Sequence, residues 1–291
     1  PSLVIWYDMR FGHKTVLGDP TFVPSLDRFR LDHIPAWDIR DLLVNRGTLL
    51  VINDELIASG RNDSAARRLI TKHVHKAIIG YGDALLFFCG RYDWSYQERQ
   101  KRMRDLHEAT AEFREIYDAS MEFRFKPDYA RFAKKDPRKW MGELRPMLEA
   151  VHLFCERERL GSPTLKWDNY ASVAMRAELF ADALSPRAWA KKAFYAAQAR
   201  RSPTALSGLA RLGFRAAGPR ARIAIMFPVA AYELHDQRHR NTTIPSLGSR
   251  SDVIAILRRA YLAAWAEHGD ANFGAAMRKW NLGLDTVETA T

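Results

Sequence analysis

The sequence predicts a mostly helical protein, a large multi-helix body preceded by a short N-terminal β-hairpin. Three observations carry that expectation. The opening "PSLVIWYDMRFGHKTVLGDP" alternates in pattern and is rich in β-branched and aromatic residues. From about residue 35 onward, apolar residues recur at helical spacing. No repeat period or low-complexity tract interrupts the chain.

In residues 1–24, Leu3, Ile5 and Tyr7 alternate with Val4, Trp6 and Asp8, and "GHKTVLG" reads as the return strand. A two-stranded hairpin is marginal alone in water. These strands are therefore expected to belong to a larger sheet, supplied by residues preceding Pro1 or by another chain. The missing initiator Met favours the former, so the sequence reads as an N-terminally truncated fragment.

The helices follow in order. "PAWDIRDLLVNRGTLLVIN" spaces Ile39, Leu42, Leu43, Leu49 and Leu50 helically, and "DSAARRLITKHVHKAIIGYGDALLFF" lines up Ile70, Val74, Ala77, Ile78, Tyr81, Leu85 and Phe88 before Gly90 stops it. "SYQERQKRMRDLHEATAEFREIY" reads as one helix opened by Ser95 and Glu98 at capping-box spacing. "FKPDYARFAKKDP" is a connector. Helices are expected in 138–160 and 168–184, then in "SPRAWAKKAFYAAQARR" with Ser185 as N-cap and Pro186 at the first helical position. A short helix after "RSPTALSG", "GPRARIAIMFPVAAYEL" kinked at Pro228, and "DVIAILRRAYLAAWAEH" complete the body, with "TIPSLGSRSD" as a loop. The body spans 35–291, with a possible subdivision near 125–140.

With 291 residues and 47% hydrophobic content, the chain can bury a sizeable core and is not a disordered polymer. Cys89 and Cys155 lie in apolar helical contexts and read as buried thiols, too few for a disulfide framework. No basic segment leads into an apolar one as in a secretory leader. The longest apolar stretches are about half of the roughly 20 residues that span a bilayer. The expectation is a soluble, cytoplasmic protein.

The net charge of +11 is unevenly placed. Residues 186–222 carry Arg187, Lys191, Lys192, Arg200, Arg201, Arg211, Arg215, Arg220 and Arg222 and no acid. Such a one-signed field attracts nucleic acid, nucleotides or an anionic membrane surface; the alternative is a solvated face without a ligand. Trp189, Phe194, Tyr195 and Phe214 could stack on bases, although helical spacing favours a core role for Trp189 and Phe194.

"DIRDLLVNRGTLLV" and "KHVHKAIIGYGDALLFFCGRYDWSYQERQKRM", with "TVLGDP" before them, resemble the helical part of proteins of the DNA polymerase β-like nucleotidyltransferase superfamily, over residues 1 to about 104. That resemblance implies that 1–34 is the remnant of a mixed α/β catalytic sheet. It also implies that the whole protein uses Mg²⁺ to transfer a nucleoside monophosphate from a nucleoside triphosphate to an acceptor. Two cations neutralise the charge that develops on the phosphoryl oxygens in such a reaction. The chain departs from the family pattern: it has no Asp-x-Asp or Asp-x-Glu pair on a strand, and "LGSRSD" mimics the Gly-Ser turn without acids behind it. Asp8 would then be the third acid and a metal ligand of a site whose first two acids lie upstream, and the fragment itself would be inactive. Alternatively, Asp8 is an ordinary acid paired with Arg10.

Lys72 and Lys76 are i,i+4 neighbours with Asp83 one helical repeat further, on the face opposite the apolar stripe. The resemblance makes the two lysines triphosphate contacts; otherwise they are exposed and Asp83 is their helix partner. Gly80 and Gly82, each costing about 1 kcal/mol against Ala in mid-helix, suggest close approach of another backbone or a ligand. Arg46 could bind phosphate in a bidentate manner or pair with Asp41 or Asp83. Tyr96 is available to stack on a nucleotide, while Ser95 is explained as a cap. His73 and His75 diverge on a helix and do not form a metal site; His235 and His239 have ligand spacing but no clear third ligand. A second function class therefore stands beside the transferase: a non-catalytic helical module binding RNA or another polyanion through 186–222, Lys191, Lys192, Arg200 and Arg201 foremost.

Overall fold

The structure, a computed structural model, describes residues 2–61, 63–182, 185–198, 206–232 and 250–279. The described residues form twelve α-helices and no strand: α1 Val4–Gly12, α2 Ala36–Ala58, α3 Ser64–Phe88, α4 Tyr96–Arg104, α5 Ala111–Phe125, α6 Pro137–Leu160, α7 Trp167–Phe180, α8 Pro186–Gln198, α9 Gly208–Ala216, α10 Pro219–Tyr232, α11 Arg250–His268 and α12 Ala271–Lys279. Among the described residues, no helix is long and apolar enough to cross a membrane. The chain divides into two compact units, one of residues 1–53 with 60–159 and one of 54–59 with 160–291. Residues 125–140 lie within the first unit.

The expected N-terminal hairpin is instead helix α1. Its buried positions have a helical period: Tyr7 is buried, Leu3, Val4 and Asp8 are half-buried, and Ile5, which alternation would place with Tyr7, is 66% exposed. The Asp38 carboxylate accepts the Val4 N–H at 2.8 Å and satisfies one of the open donors of the first turn. Trp6 stacks on Phe29 and Tyr7 packs near Tyr92, so tertiary contacts override the strand preference of the side chains. Arg10 bonds the Pro24 carbonyl and pairs with Asp27 at 2.6 Å, which removes it as the partner of Asp8.

The first unit is built around α3. Asp63 caps its start by accepting the N–H groups of Ala65 and Ala66. Its end is a Schellman turn, with Arg91 N–H on the Leu86 carbonyl at 2.7 Å, Gly90 N–H on that of Phe87 at 2.9 Å, and Gly90 at φ +68°. The expected stripe from Ile70 to Leu85 is buried, but from Ala77 to Leu86 every side of the helix is covered, Asp83 included. The expected solvated Lys72–Lys76–Asp83 face therefore divides: the lysines are exposed and the acid lies in the core.

The segment read as one helix after Ser95 is two. The Ser95 hydroxyl caps α4 by accepting the Glu98 N–H. The chain breaks at 105–110, and the Thr110 hydroxyl caps α5 by accepting the Phe113 N–H at 3.2 Å. Leu106 and Ala109 are buried within that break, which apolar spacing alone did not distinguish from a helix.

In the second unit α7 packs on α9, and Gly213 lets the two approach: a Cβ there would meet the Met175 backbone. Cys155 in the first unit is buried, as expected, and Cys89 is half-buried; both are free thiols.

Candidate functional site

A cleft of about 590 Å³ in the first unit is lined by Ile5, Asp8, Met9, Gly12 and His13 from α1 and its end, by Trp94 to Gln97 at the start of α4, and by Phe125 at the end of α5. Gly12 permits this wall to close, because a Cβ there would lie 3.1 Å from the Trp94 ring. Trp94 is 40% and Phe125 56% exposed, so both keep ring surface available to a ligand.

Beneath the cleft lies a buried hydrogen-bonded chain. Arg99 donates to Asp83 at 2.5 Å and to the Tyr92 hydroxyl at 3.2 Å, Tyr117 donates to Asp83 at 2.8 Å, and Tyr92 donates to both oxygens of Asp8 at 3.0 and 3.1 Å. Burial opposes the charge on Arg99; Asp83, Tyr92 and Asp8 outweigh it and hold the guanidinium above its ordinary value. Burial pushes the Asp8 carboxyl up to about 6 against the pull of Arg99 and Tyr92. Asp8 lines the cleft, and both of its oxygens accept from the one Tyr92 hydroxyl.

Four cations gather in the same unit. Lys72 and Lys76 come from α3, Arg46 from α2 and Arg124 from α5. The Lys76 ammonium lies below its usual range, first because of burial and then because of Lys72, Arg46 and Arg124. Arg46 and Arg124 also act on Asp83. Among the described residues none of the four makes an ion pair, so Arg46 binds neither Asp41 nor Asp83 directly. Tyr96 links the cluster to the cleft: it lines the cleft, and the guanidinium carbons of Arg124 and Arg99 lie 3.7 and 4.0 Å from its ring centroid. Its ring is thus covered by two guanidinium groups, while Trp94 and Phe125 keep more of their ring surface exposed.

The resemblance implies Mg²⁺, for which the described residues offer few free carboxylates. Asp8 offers one carboxylate. The nearby Asp83 is held by Arg99 and Tyr117, and Asp93 by Arg102. Among the described residues no group of three or more His, Cys, Asp or Glu is placed to hold a metal ion. Among the described residues the donor set does not fit a two-metal site. His73 faces Asn53 and His75 faces Ser120; His235, His239 and "LGSRSD" lie outside the described residues, apart from helical positions at its end.

The basic window is largely spent on the fold. Lys192 donates to the Leu179 carbonyl at 2.7 Å and to that of Ala181, closing α7. Arg220 donates to His268 and Gly269 at the end of α11, and Arg222 to Phe214, Arg215 and Tyr195. Arg211 and Arg215 donate to the Leu206 and Ala196 carbonyls. Lys191 lies over the Tyr195 ring at 5.6 Å. Arg200 and Arg201 lie outside the described residues. Trp189 and Phe194, expected in the core, are 43% and 59% exposed because α8 packs through Ala188, Lys192, Tyr195 and Ala196.

Sequence reasoning missed the Arg99–Asp83 pair, Trp94, Arg124 and Phe125. The mid-helix "GYGD" was the available signal: its glycines mark where Arg46 and Tyr117 press on α3. Comparison with protein-family models, curated proteins and solved structures returned no match.

Proposed function

We propose that the first unit binds a nucleoside phosphate, its phosphates on Arg46, Lys72, Lys76 and Arg124 and its base in the cleft bounded by Trp94 and Phe125. The observation that carries this reading is the cation cluster, without an ion pair among the described residues, joined to an aromatic cleft through Tyr96. Like charges held close together repel one another, and a bound polyanion relieves that repulsion. Arginine supplies planar forks and lysine mobile point charges for phosphate oxygens. Nucleotidyl transfer with Mg²⁺ is the chemistry that the sequence resemblance implies for the whole protein; the reading supported here is binding.

Calorimetric titration with ATP and with inorganic triphosphate tests it. Both ligands should bind, with affinity falling as salt is raised, and Lys76→Ala or Arg46→Ala should weaken both about tenfold, the effect of losing one charge-assisted contact. Absence of binding, or unchanged affinity in both variants, overturns the proposal.

A further inference from the structure

We infer that helices α8 and α9 form a docking face for the surface of an anionic lipid bilayer. This goes beyond the nucleotide reading, and the face lies wholly in the second unit. On α8, Trp189, Ala193 and Ala197 form one i,i+4 row and Ala190 and Phe194 the next, and all five are exposed. The opposite side of the helix holds Lys192, which is tied to the end of α7. α9 turns Leu209 and Leu212 outward beside Arg211 and Arg215. The two helices pack together, and Arg215 donates to the Ala196 carbonyl of α8 at 3.4 Å.

Charge identifies the occupant. Arg187 and Lys191 border the apolar rows of α8, are exposed, and make no ion pair or hydrogen bond among the described residues. No acid stands between residues 186 and 222 to oppose them. A second copy of this chain would bring the same unopposed cations to the contact. A bilayer with anionic headgroups complements both parts of the face: apolar side chains enter the headgroup–acyl boundary while Lys and Arg meet the headgroups. Among the described residues no helix is long and apolar enough to cross a membrane, so the contact is with the bilayer surface. Nucleic acid is the other polyanion that such a field attracts. Its sites interleave cations with rings that stack on bases. Here Leu209, Leu212 and the three alanines are aliphatic, and Arg211, Arg215, Arg220 and Arg222 already donate to backbone carbonyls. The balance favours the bilayer.

Flotation of the full chain with vesicles tests this, using phosphatidylcholine alone and equal parts phosphatidylcholine and phosphatidylserine. Single-stranded oligouridylate binding is measured beside it, and thermal melts verify folding. The chain should float with the anionic vesicles and not with the neutral ones, less so as salt is raised. Phe194→Ala should weaken the association about tenfold through lost apolar burial. Arg187→Gln with Lys191→Gln should weaken it by about fivefold for each charge. Leu17→Ala, which removes an exposed leucine of the first unit, should change nothing. No flotation, equal flotation with both vesicles, or anionic binding that survives either Phe194→Ala or the double charge variant overturns the inference. So does a loss in Leu17→Ala as large as that in Phe194→Ala. Oligouridylate binding that the charge variant abolishes, without vesicle binding, assigns the face to nucleic acid and overturns it too.

Discussion

The side-chain stem of Arg46 lies across the backbone of Gly80: a Cβ on residue 80 would come within 2.7 Å of the Arg46 Cβ. The contact involves the root of the side chain, not its mobile end, so it cannot be relieved by a rotamer change at the guanidinium. It is the physical reason for a glycine in the middle of a buried helix, and it fixes where one cation of the cluster begins. Gly80→Ala gains up to about 1 kcal/mol of helix propensity. It must also displace α2 or the Arg46 stem, an overpacking cost of about 1–3 kcal/mol. Denaturant melts should show a net loss, and triphosphate affinity should fall with it. A variant more stable than wild type would show that the close approach is not maintained in solution.

Arg99 and Asp83 give a second expectation. Both side chains are buried, and Asp83 takes its remaining hydrogen bond from Tyr117. Arg99→Met leaves a carboxylate in the core without its cation, a loss of about 3–5 kcal/mol. Adding Asp83→Asn removes the stranded charge and keeps an acceptor for Tyr117. The double variant should therefore recover part of the loss in chemical denaturation, and equal destabilisation of single and double variants would contradict the assignment.

The titration of Asp8 and the buried histidines sets the pH dependence of stability. Asp8, raised from 3.8 to about 6, binds its proton more tightly folded than unfolded; its stabilising contribution is complete below about 3.8 and is lost as pH rises through about 6. His73, His75 and His152, lowered from 6.5 to about 3, 4 and 4, chiefly by burial, have the opposite sign. Their contributions are complete above 6.5 and are lost as pH falls through the folded values. On acidification below 6.5 the three histidines therefore oppose Asp8, whose sign is shared by Asp38, Glu55 and Asp83, all raised chiefly by burial. Asp8→Asn isolates the Asp8 effect: it should be more stable than wild type at pH 8, by at most about 3 kcal/mol, with the gap closing toward pH 4. Thermal melts across that range check both signs, and a wild type more stable than Asp8→Asn at pH 8 would refute the buried, ionised carboxylate.

Helical content and most helix ends were legible because the signals are local. Ser95, Ser185 and Gly90 cap or stop helices through bonds within a few residues, and the structure uses each as such. The hairpin misreading and the solvated placing of Asp83 fail for the opposite reason. Whether Ile5, Trp6 and Tyr7 lie in a strand or a helix is decided by Asp38, Phe29 and Tyr92, between 23 and 85 positions away. Whether Asp83 can be buried is decided by Arg99 and Tyr117. Arg46, Lys72 and Lys76 were legible as cations on neighbouring helices; that Arg124 completes the cluster and fixes Tyr96 is a tertiary fact with no local pattern.

The basic window separates charge that builds the fold from charge that can meet a partner. Arg222 donates to three backbone carbonyls that end α9 or lie on α8. Arg222→Met strands those acceptors and should cost about 1–3 kcal/mol. Arg187 is exposed and makes no ion pair or hydrogen bond among the described residues, so Arg187→Met should leave stability within about 0.5 kcal/mol. If residues 186–222 engage a polyanion, the Arg187 variant, with Lys191→Met beside it, should flatten the salt dependence of binding to single-stranded RNA while the melting temperature stays put. The Arg222 variant should move the melting temperature first. An Arg222→Met protein as stable as wild type would mean that its carbonyl contacts do not hold α8 and α9 together, and the division between structural and available charge in this window would have to be redrawn.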